Sequence, residues 1–317
     1  MALEPALFAD VADALGIAHP AIVEKDYYAV QLLKLLAGID ASGYTLVFAG
    51  GTCLAKAHRN TYRMSEDIDI KFITNDETTR KSRSELRRIR RELNQQIAEV
   101  ISTSEIFKLI AKPHIRNEYK FQQLLLEYPT HHGEIETLRP HIQLELTEST
   151  LLQKTRSTPL SSLYADVTKQ ENAVDTFSCI ELESIAAEKF IALLRRTAAF
   201  ERDHEKKDDP TLARHAYDLH LIYEGKIDLE KTKSLVQQVI EIDADQFGNQ
   251  HPEFRENPIK ELLLGFETLK QDPISSQRYT NFIGPLVFHP NPASWFNASP
   301  IISNCRSTPA RNSSSLV

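Results

Sequence analysis

Two short stretches of this 317-residue chain carry residue types that could do chemistry. The first is Phe48-Ala-Gly-Gly-Thr52, and the second, soon after it, is Arg63-Met-Ser-Glu-Asp-Ile-Asp-Ile-Lys-Phe72. Gly50, Gly51 and Thr52 offer backbone amides and a hydroxyl to phosphate oxygens. Asp67 and Asp69, in a run that otherwise reads as a β-strand, offer carboxylates to a divalent metal. Residues i and i+2 of a strand point to the same face, so these two aspartates project together while Ile68 and Ile70 face the core. A pair of hard oxygen ligands suits Mg²⁺, which takes one or two protein carboxylates and completes its shell with waters and substrate phosphates. A lone Gly-Gly is most often a turn, and a lone Asp-x-Asp a solvated strand end. Their ordered combination with Arg63 and Ser65 points instead to a nucleotide-transferring site.

Such a site needs elements to hold it. Residues 44–49 read as a short buried strand and 52–58 as the start of a helix, which puts Gly50 and Gly51 at the junction. Glycine there lets the backbone approach a ligand closely, and the helix start presents unpaired N–H groups to an anion. Upstream, residues 20–36 form a helix with apolar positions Val23, Tyr27, Val30 and Leu33, ended by Gly38. Its charged residues Glu24, Lys25 and Asp26 are expected to make surface or interhelical pairs. Downstream, residues 80–91 pack seven positive charges into one predicted helix running to about Ser102. That helix is either a solvated face or a surface for RNA phosphates. Strands are expected at 106–111 and 119–128, with a turn around Arg116-Asn-Glu118. A further strand at 141–147 places Gln143, Glu145 and Thr147 opposite Ile142, Leu144 and Leu146.

From residue 178 the pattern becomes helical. Residues 181–196 carry an apolar face through Ile185, Phe190, Leu193 and Leu194, with Lys189 near its edge, where lysines commonly snorkel to solvent. A polar loop at 203–210 precedes a helix at 212–223. His215 and His220 lie five apart, off a shared helix face, which argues against a metal site there. Residues 228–272 give further helices, in which Asp243 and Asp245 splay apart. The domain division read from this pattern is 1–177, a sheet-containing domain with N-terminal helices; 178–284, a helical domain; and 285–317, a mobile tail rich in Pro, Asn and Ser.

With 41% apolar and 26% charged residues, the composition is that of a soluble globular protein with a substantial core. The first residues lack the basic and apolar regions of a secretory signal, and no run approaches a membrane span. Cys53, Cys179 and Cys305 are scattered and odd in number, so neither a disulfide framework nor a zinc site follows. A cytoplasmic location is the expectation. The net charge of −7 argues against a surface that binds nucleic acid everywhere, while permitting a local basic face.

The segment Gly50-Gly51-Thr52 … Arg63-x-Ser65-x-Asp67-Ile-Asp69 resembles the first motif of the AbiEii/AbiGii group of nucleotidyltransferase-like toxins, within the DNA-polymerase-β-type superfamily. Val23-Glu-Lys-Asp-Tyr-Tyr28 is similar to the helix before that group's core, and Ala187-Glu-Lys-Phe190 with Arg195 or Arg196 to its later lysine motif. Arg214-His-Ala-Tyr-Asp-Leu219 is similar to its last aspartate motif. That motif often reads Arg-Asp; here Arg214 is followed by His215, so Asp218 is the aspartate carried over. The likeness runs from about residue 20 to about residue 225.

The resemblance implies an α+β fold, a small mixed β-sheet nucleotidyltransferase core flanked by helices, with a C-terminal helical domain. It implies an Mg²⁺-dependent enzyme that uses an NTP, with Asp67 and Asp69 on metal and Glu145 as a third carboxylate on a neighbouring strand. Gly50, Gly51, Thr52, Arg63 and Ser65 are implied on the nucleotide, Lys189 on the triphosphate, and Asp218 among the catalytic residues. Its partners would be RNA, with a tRNA 3′ end among the acceptors, and a cognate antitoxin, in a bacterial toxin–antitoxin or phage-defence pair. Two alternatives stay open: a non-catalytic nucleotide- or partner-binding module of the same fold, and nucleotidyl transfer to a small molecule.

Overall fold

A computed structural model describes residues 4–295, apart from 42, 59–60, 205–208, 226 and 272, together with residue 298. Cys305, residues 205–208 of the expected polar loop at 203–210 and most of the tail after 285 lie outside the described residues. The chain divides into two compact units, Met1–Glu181 and Leu182–Val317.

The first unit opens with helices α1 (Leu7–Leu15) and α2 (Pro20–Ala37), then strand β1 (Tyr44–Ala49) and the short helix α3 (Gly50–Cys53), which continues as a π-helical turn over Leu54–His58. Strand β2 (Asp67–Thr74) leads through α4 (Asp76–Thr79) to the long helix α5 (Arg83–Thr103). Strands β3 (Lys108–Leu109), β4 (His114–Arg116), β5 (Phe121–Glu127), β6 (Ile142–Glu148) and β7 (Arg156–Leu160) follow, then α6 (Leu163–Thr168) and β8 (Val174–Cys179). The strands form one mixed sheet in the order β3-β5-β6-β2-β1-β8-β7, with β4 also on β5. Within it β2 runs antiparallel to β1 but parallel to β6.

The strands expected at 44–49, 119–128 and 141–147 and around Asp67 form, with alternation as the reason in β2 and β6, whereas the one expected at 106–111 shrinks to the exposed pair Lys108–Leu109. Ile68, Ile70 and Phe72 of β2 and Ile142, Leu144 and Leu146 of β6 are buried, while the residues between them are partly exposed. Helix α5 starts at a capping box in which Ser82 and Glu85 satisfy each other's backbone amides, and it buries Leu93, Ile97 and Ile101 at four-residue spacing. Strands β7 and β8 lack such a signal. β7 is an edge strand of mostly exposed residues with a register shift around Pro159, so neither period nor propensity marks it. β8 runs across residue 178, where the helical pattern was expected to begin, and the unit boundary follows Glu181.

The charged triplet of α2 departs from expectation. Glu24, Lys25 and Asp26 are not surface residues; all are buried, Lys25 completely. Each reaches a different element. Glu24 accepts from the amides of His131 (2.9 Å) and His132 (3.2 Å). Asp26 accepts from the amide of Leu163 at 2.7 Å and pairs with Lys56. Lys25 donates to Glu66 Oε1 at 3.2 Å and to the carbonyl of Arg139 at 2.7 Å. Burial pulls the Lys25 pKa down, against the opposing pull of Glu66. The apolar spacing of α2 shows which residues are buried by a hydrophobic face, but not that polar neighbours are buried by long-range bonds.

In the second unit, α7 (Leu182–Arg202) packs against three other helices. A 3₁₀ turn over Pro210–Leu212 precedes α8 (Ala213–Glu224), α9 (Leu229–Phe247), α10 (Pro252–Glu256), α11 (Pro258–Gln271) and α12 (Pro273–Leu286). Helices α8, α9 and α11 pack most extensively against α7. Gly265 allows the closest of these approaches, since a Cβ there would overlap the Leu194 carbonyl of α7. The expected helical unit is therefore organised around the helix that carries Lys189.

Removing the Lys25 ammonium while keeping its bulk tests the buried clamp. Lys25→Met leaves the Glu66 carboxylate buried without its cation and is expected to cost about 3–5 kcal/mol in denaturant unfolding. Adding Glu66→Gln should restore part of that loss. A single variant as stable as the parent would show that the pair holds nothing.

Candidate active site

Strand β2 presents Asp67, Asp69 and Lys71 on its partly exposed face. Pairing with β6 sets Asp67 opposite Gln143 and Asp69 opposite Glu145, and pairing with β1 sets Asp69 opposite Ala49. In turn, β5 sets Gln123 opposite Glu145. One row across the sheet therefore reads Ala49, Asp69, Glu145, Gln123, and its first member is the residue before the Gly-Gly turn. Glu145 Oε1 accepts from Gln123 Nε2 (3.0 Å) and Gln143 Nε2 (2.8 Å), which orients its carboxylate without neutralising it.

Gly50 and Asp69 are in direct contact. Gly50 has φ of +73°, a conformation that L side chains rarely adopt, and a Cβ added to it would overlap Asp69 Oδ2. Both constraints demand glycine, and the second exists because the carboxylate lies against the turn. The helix starts at Gly50, two residues earlier than the sequence pattern suggests, and its π-helical continuation is a local widening of the kind found at functional sites. Thr52 is buried, and its hydroxyl donates to the carbonyl of Asp67, stitching the helix start to the strand. Arg63 is also buried and donates to the Met64 carbonyl at 2.8 Å, while Ser65 is partly exposed on the approach to β2.

Arg139 was not singled out by sequence. Its guanidinium lies 2.7 Å from Asp67 Oδ1 and 3.1 Å from Gln143 Oε1. Nothing in Leu138-Arg-Pro140 marks it, because the contact joins residues 72 positions apart. Nearby His141 has its pKa lowered by burial and by the Lys25 and Arg139 charges, so its imidazole is neutral near pH 7.

Lys189 and Asp218, separate in sequence, meet in the second unit as a 2.8 Å ion pair between α7 and α8. Lys189 is buried rather than snorkelling, and Asp218 is fully enclosed. The neighbouring arginines have other partners: Arg195 pairs with Asp243 at 3.1 Å and stacks over Phe247, and Arg196 pairs with Asp209. Cys53 and Cys179 are buried free thiols.

Among the described residues, no group of three or more His, Cys, Asp or Glu is assembled to hold an ion. Asp67 and Asp69 share one face, however, and two carboxylates suffice for Mg²⁺. A positive charge, the Arg139 guanidinium, already stands against one of them. The pair fits a hard divalent cation, with Glu145 beside it.

The profile described as nucleotidyl transferase AbiEii toxin, type IV toxin–antitoxin system, matches residues 34–299. The chain belongs to the AbiEii family. It is a nucleotidyltransferase toxin of a type IV toxin–antitoxin system, which makes an NTP its substrate and an antitoxin its counterpart. The fold agrees with that of MenT4, a nucleotidyltransferase toxin from Mycobacterium tuberculosis, over 96% of this chain and 89% of that one, with a TM-score of 0.61 and 19% identity. A second solved structure, the antibiotic-resistance factor ANT(2″)-Ia, aligns with 71% of this AbiEii-family chain and 98% of its own at 18% identity, with a TM-score of 0.36. No curated protein matches by sequence. No helix among the described residues is long and apolar enough to cross a membrane.

The contact between Gly50 and Asp69 has a measurable consequence. Gly50→Ala is expected to destabilise the chain by about 1–3 kcal/mol through its φ alone, and to impair transfer beyond that by moving the carboxylate. An alanine variant with parental activity and unfolding midpoint would show that the turn is permissive.

Proposed function

We propose that the protein transfers a nucleoside monophosphate from an NTP to a hydroxyl of RNA, in an Mg²⁺-dependent reaction in the cytoplasm, with a tRNA 3′ end among the candidate acceptors. The observation that carries this reading is the row formed by Asp69 and Glu145 against the Gly50 backbone, with Asp67 on the same face. Clustered carboxylates are costly unless a cation compensates them, so their retention favours catalysis over a binding module that has merely kept the fold.

Asp67 and Asp69 would hold the metal, which when bound neutralises phosphate charge and orients the triphosphate. Glu145, positioned by two amide donors, would take the proton from the acceptor hydroxyl. The hydroxyl oxygen attacks the α-phosphorus in line, the bond to the bridging oxygen breaks, and pyrophosphate leaves. Backbone amides of Gly50 and Gly51, with the Ser65 hydroxyl, would bind the outer phosphates. Thr52 and Arg63 support this arrangement from the interior, since both donate to backbone carbonyls. The resemblance assigns Lys189 to the triphosphate; within its own unit the ammonium is paired with Asp218.

For the acceptor, the basic helix supports RNA in reduced form. Arg90 does not face solvent; it is buried and makes a two-pronged pair with Glu148. Arg83 and Arg88 are exposed but pair with Glu118 and Glu92. Arg87 and Arg91, one helical turn apart and exposed, complete the surface that could meet phosphates.

Incubation with each labelled NTP, Mg²⁺ and total RNA identifies nucleotide and acceptor together. Asp67→Asn and Asp69→Asn are each expected to lower transfer by about a hundredfold or more, the equivalent of several kcal/mol of transition-state stabilisation. Retained transfer in both variants would refute the carboxylate assignment.

A second measurement concerns the acceptor. Replacing Arg87, Arg88 and Arg91 by Ser, with Arg90 left in place, should weaken RNA binding and reduce the slope of log affinity against log salt by about 0.7–0.9 per lost phosphate contact. An unchanged slope would make the helix a solvated face and favour a small-molecule acceptor.

A further inference from the structure

Arg139 combines a fixed backbone with a head group that is only partly engaged. Its N–H donates to Glu66 Oε1 at 2.7 Å, and its carbonyl accepts from Lys25 Nζ at 2.7 Å. Glu66 and Lys25 are both buried and are bonded to each other at 3.2 Å. The main chain at 139 is therefore held from both sides by charged groups that water does not reach. The side chain, by contrast, is one-third exposed, and among the described residues its contacts, to Asp67 and to Gln143, are made by one nitrogen, Nη1. A guanidinium has five N–H donors in a planar fork suited to phosphate, so most of that capacity is available.

We propose that Arg139 makes cation binding at the carboxylate pair conditional on the triphosphate. Without ligand, its guanidinium is the resident counter-ion of Asp67 and competes with a bare divalent cation for Oδ1. When the cation arrives with a triphosphate, the guanidinium leaves Asp67 and pairs with a phosphate oxygen. The anchored backbone keeps it within side-chain reach. Its loss should therefore move affinity for bare cation and for triphosphate in opposite directions. Coupling of this kind is reciprocal: the two ligands raise each other's affinity by the same factor. The inference rests on the reading of Asp67 and Asp69 as the metal pair.

The test measures Mn²⁺ binding to the full chain by electron paramagnetic resonance, without nucleotide. It then measures binding of inorganic tripolyphosphate at saturating Mn²⁺. Arg139→Gln should bind Mn²⁺ alone about fivefold more tightly, the scale of an exposed ion pair, and tripolyphosphate more weakly. Arg139→Lys, which keeps the charge, should hold Mn²⁺ affinity near the parent value, an outcome that a purely structural role would not produce. Equal or weaker Mn²⁺ binding in the Gln variant, or none in either protein, overturns the proposal. Asp69→Asn separates the two levels of the argument. If it abolishes Mn²⁺ binding while Arg139→Gln matches the parent, only the role of Arg139 fails. If parent and Asp69→Asn bind Mn²⁺ alike, the metal pair itself is wrong and the proposal falls with it.

Discussion

A single buried ammonium ties the first unit together. Lys25 has no exposed surface, and an amine so placed survives only if its donors are matched and a counter-charge is close. Glu66 and the Arg139 carbonyl supply both. Glu66 immediately precedes Asp67, and Arg139 ends at Asp67, so one lysine fixes the entry of the strand that carries Asp67 and Asp69 and the root of the arginine that faces it. Its neighbours Glu24 and Asp26 do the same for the loop at 131–132 and for the start of α6. Three consecutive charges, pointing in different directions around one helix, thus hold elements that the sheet alone would leave loose.

The hydrophobic layers supply what this network cannot. Ile68, Ile70 and Phe72 on one strand and Ile142, Leu144 and Leu146 on the next bury one face of the sheet, and the alternation that buries them forces the carboxylates onto the other. A slip of one residue would put Asp69 in the core. The same layers make the site's charge density tolerable, because its carboxylates stay partly hydrated.

The parts of this design that follow a local period were legible in the sequence. Asp67 and Asp69 share a face because strands repeat every two residues, and the register β2–β6 then places Glu145 beside Asp69 as its strand order suggested. Helices α2 and α7 announced themselves by apolar spacing. Features that depend on distant partners were not legible. Burial of the α2 charges, the Arg139 contact and the Lys189–Asp218 pair each join residues whose neighbourhoods look ordinary alone. Arg90 shows the same limit within a motif. A run of arginines reads as one surface, yet helix geometry turns one of them inward, where it meets Glu148, whose carboxylate also accepts from the Tyr44 hydroxyl. β7 was hidden for another reason, since an interrupted edge strand with a proline has little apolar pattern to show.

The long reach of Lys25 orders events in time as well as in space. Its partners lie 41 and 114 residues further along the chain, so a ribosome releases α2 well before either exists. Until residues 131–139 have emerged, Glu24 lacks its amide partners and Lys25 has Glu66 alone, and contacts of such sequence separation are slow to close. Assembly of the first unit thus waits until most of its own sheet has been made. A fragment ending before residue 139 would hold both aspartates but lack Arg139 and the strand that carries Glu145.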